Sequence, residues 1–335
     1  MKKSIPALLV CVIISFALHA QKGKVQNDTS YYVTFLDKLN IRTFLSQKYI
    51  HVNIPSSGSV SDLEYKANPK LNLGVGFSYR GVTVNLFNGF QFLNKKDEPK
   101  GKTKGLDLQV HLYPRKWAID VLFESPKGFH LEQKGVAGAG ANNYYYRGDI
   151  KSNLYGISAY RVPNKEKFSY RAAISQTEWQ KKSAGSFLYG GNLFHGFLQG
   201  DSALVPALLA NNYPQKGIKK TSYTSFGPGV GYAHTLVIDQ HFFLTGSAVV
   251  NANVNFVKEE GTTSDTKTSF NFSDVFKAAI GYNSATWNFS ANWLGQGLWI
   301  KGPSTNENYF FPSGQIRVVA AYKFNVKHRD QKIKI

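Results

Sequence analysis

Residues 106–124 alternate apolar and polar side chains on both sides of a short break at Pro114 and Arg115. This alternation has the period of two of a half-buried β-strand. If Pro114 and Arg115 form the loop of a hairpin, Leu112 faces Trp117 and all the apolar side chains share one face. The pattern therefore predicts a hairpin with one apolar face, which contacts either a protein core or lipid.

Similar period-two segments recur along the chain, with turn residues between them. They predict twelve strands, at residues 39–54, 70–79, 82–92, 104–113, 116–124, 150–161, 167–179, 221–234, 241–257, 270–282, 286–298 and 314–326. Many of these segments reach about ten residues, the length that a tilted membrane strand needs, whereas soluble strands cluster near about 5–6 residues.

The connections between these segments alternate in length. Short ones lie at 80–81, 114–115, 162–166, 235–240 and 283–286, and long ones at 55–69, 93–103, 125–149, 180–220, 258–269 and 299–313. A soluble sandwich or a lipocalin-like barrel explains the alternation equally well, but not the asymmetry of the loops. Short turns at one end and long loops at the other are typical of outer-membrane barrels. The expected fold class is all-β: a closed antiparallel up-and-down transmembrane barrel of about 12 strands. The barrel is expected to be closed because an open strand edge in hydrocarbon would leave backbone groups without hydrogen bonds.

The alternation divides the side chains between two environments. The residues expected to face lipid are Leu108, Val110, Leu112, Trp117, Ile119, Val121, Trp287, Phe289, Trp293, Tyr322 and Phe324. The polar residues expected to line the lumen are Asp107, Gln109, His111, Asp120, Asn251, Asn253, Asn288, Asn292, Arg317 and Lys323.

The N-terminus resembles a secretory signal peptide, because Lys2 and Lys3 precede an apolar run that ends near residue 20. A membrane anchor is the alternative, although the run is short for a spanning helix. Removal of the leader would leave no cysteine and would lower the formal charge from +19 to +17. The expected organisation is a signal peptide at 1–20, a periplasmic segment at 21–38, the barrel at 39–326 and a basic periplasmic tail at 327–335. We expect the outer membrane of a Gram-negative bacterium, with both termini in the periplasm.

Three stretches carry a family resemblance: "LEYKANPKLNLGVGFSYRGVTVNLF", "KTKGLDLQVHLYPRKWAIDVLFESPKGFHLE" and "KKSAGSFLYGG". They resemble a family of exported Bacteroidetes proteins that is defined by a domain of unknown function, 4421. The resemblance implies an outer-membrane barrel over nearly all of the chain that follows the leader. It implies no catalytic residue.

Candidate chemistry is sparse. His111 shares a face with Asp107, Asp120 and Glu124, and a carboxylate could orient this imidazole as a base. A structural lumen network that balances lysine and arginine charges is the alternative interpretation. The histidines lack the spacing of metal ligands, so we expect neither a metal nor a cofactor. The main hypothesis is passage or binding of a small solute. The alternatives are an outer-membrane hydrolase that acts on lipid or peptide, and a structural or docking barrel without turnover.

Two loop regions suggest partners. The loop predicted at 180–220 contains apolar stretches that are unusual for a segment in water. It is expected to fold inward as a plug or constriction, or to dock on lipopolysaccharide or a protein. The lysines at 95, 96, 100, 102 and 104 form either a solvated surface or a contact with lipopolysaccharide phosphates. The expected partners are thus membrane lipid, lipopolysaccharide and a small solute. Nucleic acid is a poor explanation for the charge of an exported protein.

Overall fold

The computed structural model describes residues 27–326, except 36, 59, 80–81 and 95–98. The predicted signal peptide at 1–20, the first part of the N-terminal segment and the basic tail at 327–335 lie outside the described residues. Lys95 and Lys96 lie outside them as well.

The described chain is built almost entirely from β-strands. Its strands are β1 (Tyr32–Thr34), β2 (Lys38–Ile54), β3 (Leu63–Ala67), β4 (Asn72–Tyr79), β5 (Val82–Asn88), β6 (Lys104–Leu112), β7 (Trp117–Lys134), β8 (Tyr144–Arg161), β9 (Glu178–Gln180), β10 (Ala184–Gln199), β11 (Ile218–Ile238), β12 (Phe242–Gly261), β13 (Ser264–Asn283), β14 (Trp287–Lys301) and β15 (Asn308–Asn325). Short 3-10 helices at Gln91–Leu93 and Ala207–Asn212 and a π-helix at Arg171–Ser175 complete the described elements. None of these helices has the length and hydropathy to cross a membrane.

Ten of the strands form a closed antiparallel ring, because β15 pairs with β2. The order around the ring is β2, β3, β7, β8, β10, β11, β12, β13, β14 and β15. The predicted all-β closed antiparallel barrel is therefore confirmed. The predicted number of about 12 strands was not exact, since β4, β5 and β6 lie outside the closed ring.

These three strands widen one half of the barrel. β2 pairs with β4 through residues 40–46 and with β3 through residues 51–54. β7 divides in the same way, pairing with β6 through residues 119–127 and with β3 through residues 129–131. β5 pairs with β4, but among the described residues no ladder joins β5 to β6. We call the two facing edges of β5 and β6 the seam.

The two ends of the barrel differ, and we name them by their connections. The short-turn end carries the turns 113–116, 239–241 and 284–286, and the long-loop end carries the connections 89–103, 135–143 and 200–217. The connection predicted as long at 258–269 holds only residues 262–263, because β12 and β13 continue toward each other. The seam lies in the half of the barrel next to the short-turn end.

Hydrogen bonds hold the place where the strands divide. The backbone N–H of Asn68 donates to Thr103 Oγ1 at 2.7 Å, and Thr103 Oγ1 donates to the carbonyl of Gly128 at 2.7 Å. The side chain of Asn94 makes two bonds to the backbone of Leu71. Gly128 has φ +94° and interrupts the pairing of β7 with β8. A left-handed glycine thus redirects β7 from one partner strand to another.

The hairpin of β6 and β7 differs from its prediction in register. Leu112 pairs with Ile119 rather than with Trp117, because four residues, 113–116, connect the strands. The difference amounts to two residues. Since side chains alternate with a period of two, the predicted faces of both strands are unchanged.

Two predictions near the middle of the chain were wrong. Residues 184–199 form barrel strand β10 rather than part of a loop, and residues 167–179 form no barrel strand. β10 buries Leu188, Phe194 and Leu198 on its inner face while its outer face is also apolar, so it lacks a clear period of two. Segment 167–179 instead buries apolar side chains of a π-helix in the barrel end.

Residues 162–183 form a plug at the short-turn end. β9 of this plug pairs with β1, and the hydroxyl of Tyr32 donates to the carbonyl of Lys165 at 2.6 Å. Burial, followed by the charge of Glu178, raises the pKa of Tyr32 to about 12. Asn40 on β2 donates to the carbonyl of Gln176 at 2.6 Å, which ties the plug to the barrel wall.

Residues 200–217 close the long-loop end. Leu204 and Val205 are buried in a large apolar cluster that lies inside this end of the barrel. The Tyr65 hydroxyl donates to the carbonyl of Leu204 at 2.7 Å. This packing buries Leu204 and Val205, whereas Leu208 of the same segment is 76% exposed.

The outer surface of the barrel is apolar. Leu108, Trp117, Trp287, Phe289, Trp293 and Phe324 are exposed, and Val110, Leu112, Ile119, Val121 and Tyr322 are partly exposed. Phe187, Phe270 and Phe272 lie more than 60% exposed on the same outer face. So much exposed aromatic and aliphatic surface is typical of contact with a membrane or a partner.

The role of Gly128 leads to a stability prediction. A Cβ at this residue would lie 2.4 Å from the carbonyl oxygen of Lys102, at a backbone conformation that L residues avoid. Gly128→Ala should therefore destabilise the folded barrel by roughly 1–3 kcal/mol in urea unfolding in detergent micelles. Gly246→Ala is the matched control, because a Cβ there contacts nothing within 4 Å. Equal unfolding midpoints for the two variants would contradict this account of the strand division.

Candidate functional site

The barrel interior between the two closed ends is lined by polar side chains. Asn251, Asn253 and Asn288 are at most 1% exposed, and Asn292 is also buried. The remaining residues predicted for the lumen also lie on inner faces: Asp107, Gln109, His111, Asp120, Arg317 and Lys323. A buried polar interior of this kind requires paired charges and hydrogen bonds.

Asp120 on β7 is the centre of one charged cluster. Its Oδ1 lies 2.7 Å from His111 Nδ1 and accepts a hydrogen bond from the Tyr113 hydroxyl at 3.2 Å. Its Oδ2 lies 2.5 Å from Nζ of Lys277, which reaches across the lumen from β13. Lys277 was not predicted from the sequence. Its inward position between Val275 and Ala279 was the available signal.

Lys48 on β2 is the centre of a second cluster. It forms an ion pair with Asp107 of β6 and lies 3.7 Å from Glu124 of β7. Gln109 Nε2 donates to Glu124 Oε1 at 3.2 Å. The carboxylates considered as catalytic candidates thus lie in ion pairs with lysines. His111 keeps a buried Nε2 without a hydrogen-bond partner in the described structure.

Arg42 and Arg317 differ from these lysines because neither forms an ion pair with a described carboxylate. Arg42 is 3% exposed, donates to Gln176 Oε1 at 2.9 Å and contacts the Ser78 hydroxyl. Arg317 donates to Gln315 Oε1 at 3.1 Å. The Nε atoms of both guanidinium groups are buried and have no hydrogen-bond partner.

Both arginines belong to the wall formed by β2 and β15. Arg317 was predicted for the lumen, but Arg42 was not. Arg42 shares the inner face of β2 with Phe44, whose ring lies 4.6 Å from the Arg317 guanidinium. Lys323 lies on the same wall and donates to neutral oxygens, Asn283 Oδ1 at 2.8 Å and the carbonyl of Ser284 at 2.6 Å.

A cavity of about 50 Å³ lies between the Asp120 cluster and the wall of β14 and β15. A cavity of this size holds a few water molecules. With both ends closed, the described structure contains a polar chamber rather than an open channel.

Comparison with protein families gives one result that covers most of the chain. The family model described as Domain of unknown function (DUF4421) matches residues 26–324. This match confirms the resemblance noted in the sequence. No curated protein matches the chain.

Comparison with solved structures gives outer-membrane proteins at low similarity. Ail, the attachment invasion locus protein of Yersinia pestis, in complex with the heparin analogue sucrose octasulfate, is 8% identical with a TM-score of 0.20, over 86% of this chain and 99% of that chain. OprG from Pseudomonas aeruginosa is 10% identical with a TM-score of 0.20, over 86% and 96%. A Pseudomonas aeruginosa FadL homologue is 10% identical with a TM-score of 0.24, over 87% and 91%. At these TM-scores the similarities carry no argument about function.

Proposed function

The chain belongs to the family of the domain of unknown function DUF4421, and we propose that it is an outer-membrane β-barrel that binds a small anion in its lumen. The observation that carries the proposal is the pair Arg42 and Arg317, which lie inside the barrel without a carboxylate partner among the described residues. An uncompensated buried charge is strongly destabilising. An anion that enters the lumen would neutralise it.

The chemistry of the guanidinium group supports an anion with several oxygen atoms. Arg42 donates from both terminal nitrogens to neutral acceptors and Arg317 donates from one, and in both groups Nε has no hydrogen-bond partner. The planar donors of arginine match the geometry of carboxylate and phosphate oxygens. Arg42 and Arg317 lie on the paired strands β2 and β15, on either side of the Phe44–Val319 pair, so both belong to the same part of the inner wall.

The closed ends favour binding over free passage. The plug occupies the short-turn end and Leu204 packs inside the long-loop end. A solute that crosses the whole barrel would have to displace one of these segments.

A hydrolase is the second candidate, because His111 contacts Asp120 and keeps a free Nε2. Asp120, however, is also bound to Lys277, and the part of the chain described here offers no hydroxyl group hydrogen-bonded to that Nε2. The geometry supports a structural ion pair better than a catalytic dyad.

The outer membrane accounts for the apolar outer face, and we place the short-turn end in the periplasm. A row of lysines on neighbouring strands lies on the long-loop side of this apolar surface. In the strand register Lys104 of β6 is opposite Lys127 of β7, which is opposite Lys151 of β8. These outward ammonium groups would contact lipopolysaccharide phosphates, which are placed at that height in the outer leaflet.

The arginine pair leads to a binding prediction. In purified detergent-solubilised protein at constant ionic strength, inorganic phosphate should raise the free energy of unfolding by about 2.7 kcal/mol at a hundred times its Kd. The double variant Arg42→Gln with Arg317→Gln should lose this effect and be more stable than the parent without phosphate. Lys323→Gln is the matched control and should keep the effect. An equal phosphate effect in the arginine variant would contradict the proposed site.

The lysine row leads to a separate prediction. Lys127→Glu combined with Lys151→Glu should lower the amount of lipopolysaccharide that co-purifies with the barrel, because like charges would then oppose its phosphates. Lys258→Glu is the control, because Lys258 already contacts a carboxylate, Glu260, at 2.7 Å, and Glu260 also contacts Lys220 at 3.2 Å. Unchanged lipopolysaccharide in the double variant, measured by mass spectrometry, would refute the contact.

A further inference from the structure

The seam leaves backbone groups unpaired in the half of the barrel next to the short-turn end. All of β5 pairs with β4 and all of β6 pairs with β7, so each strand has one free edge in the described structure. Hydrocarbon cannot satisfy these N–H and C=O groups. Irregular backbone at membrane depth is tolerated where it lines a polar cavity.

The two edges separate an apolar exterior from a polar interior. On the outer side, Val84 and Leu86 of β5 and Leu106 and Leu108 of β6 are exposed. A Cβ added to Gly76 of β4 would meet both Asn85 Oδ1 and the Arg42 side chain, so these two groups converge over β4, on the inner side next to β5. The seam therefore lies between an apolar outer surface and the inner wall to which Arg42 belongs.

A hydrogen-bond chain leads from each edge to one of the two arginines. On the β5 side, Thr83 Oγ1 lies 2.7 Å from Ser78 Oγ, which contacts Arg42.

On the β6 side, Gln315 Nε2 donates to Gln109 Oε1 at 3.1 Å, and Arg317 donates to Gln315 Oε1 at 3.1 Å. Both guanidinium groups are thus connected to the edges of the seam.

Apolar surface follows the same route. Phe87 of β5 is 50% exposed although it lies on the inner side of the strand. Its ring centroid is 6.5 Å from that of Phe44, and the Arg317 guanidinium lies over the Phe44 ring, 4.6 Å from the ring centroid. A molecule at Arg317 would have aromatic surface beside it in the direction of the seam.

From this juxtaposition we propose that the seam is a lateral entrance for a long-chain carboxylate, whose head group binds Arg42 and Arg317. The alkyl chain remains along Phe44, Phe87 and the outer apolar residues of β5 and β6. The polar edges contact the carboxylate as it passes, and the apolar exterior contacts the chain. This inference rests on the proposed anion site and names the class of its ligand.

A strand of a partner protein could also pair with these free edges. The charge behind the seam favours the carboxylate, because strand pairing would leave Arg42 and Arg317 without an anion. The experiment below separates the two.

The test uses dodecanoate with a diazirine near the end of its chain, added to the purified barrel in lipid nanodiscs and activated by light. Peptides that contain β5 and β6 should carry about tenfold more label than peptides of β12 and β13, the ratio for about 1.4 kcal/mol of preferential binding. Unlabelled dodecanoate should compete with the probe, whereas dodecanol and butyrate should compete far less.

Variants of the arginines complete the test. Arg42→Gln with Arg317→Gln should remove the preference for β5 and β6, and Lys323→Gln should keep it. Even labelling around the wild-type barrel, or preferential labelling that survives in the arginine variant, would overturn the lateral entrance. Phosphate binding that needs both arginines, together with even labelling, would leave the anion site intact and reject only the entrance. Loss of both results would reject the proposed function itself.

Discussion

Hydrocarbon can satisfy neither a charge nor a backbone hydrogen bond, and in the proposed membrane location this constraint explains most features of the barrel. Ten strands close into a ring, so the backbone groups of the ladder are paired. In the half of the barrel next to the short-turn end, Lys277 turns inward to Asp120 and Lys48 turns inward to Asp107. An apolar outer face and a paired polar interior are both expected of a barrel in the proposed hydrocarbon environment.

Two features depart from this constraint, and they occur together. The facing edges of β5 and β6 lack a ladder, and Arg42 and Arg317 lack a carboxylate. Hydrogen-bond chains through Ser78 and Gln315 connect these features. In a barrel optimised only for stability, the strand edges would be hydrogen-bonded and the arginine charges would be paired. Their combination supports a site whose missing partner is supplied by a ligand.

The sequence predicted the strands well where one face is apolar and the other polar, as in β6, β12 and β14. It failed at β10, whose two faces are both apolar, and at residues 167–179, where plug burial replaces a membrane face. The two-residue register difference in the first hairpin left its faces unchanged, because only odd slips exchange them. The division of β2 and β7 depends on long-range pairing at β3, which has no local signal in the sequence.

The candidate site was only partly predictable. The inward positions of His111, Asp120 and Arg317 follow from the period of two within single strands. The partner of each charged side chain does not follow from that period, because Lys277 of β13 binds Asp120, which lies 157 residues earlier in the chain. That Arg42 has no carboxylate partner depends on every strand around it, which only the assembled barrel specifies.

Contact between the outer aromatic side chains and hydrocarbon is the central claim, and tryptophan quenching by brominated acyl chains tests it most directly. Two single-tryptophan variants suffice. One keeps Trp293 on the outer face, and the other keeps Trp179 of the plug, whose ring stacks on that of His241 in the turn 239–241. In bilayers of brominated phospholipid, Trp293 fluorescence should be strongly quenched and Trp179 fluorescence should not. Quenching of Trp293 by aqueous iodide, without quenching by the brominated chains, would contradict the account.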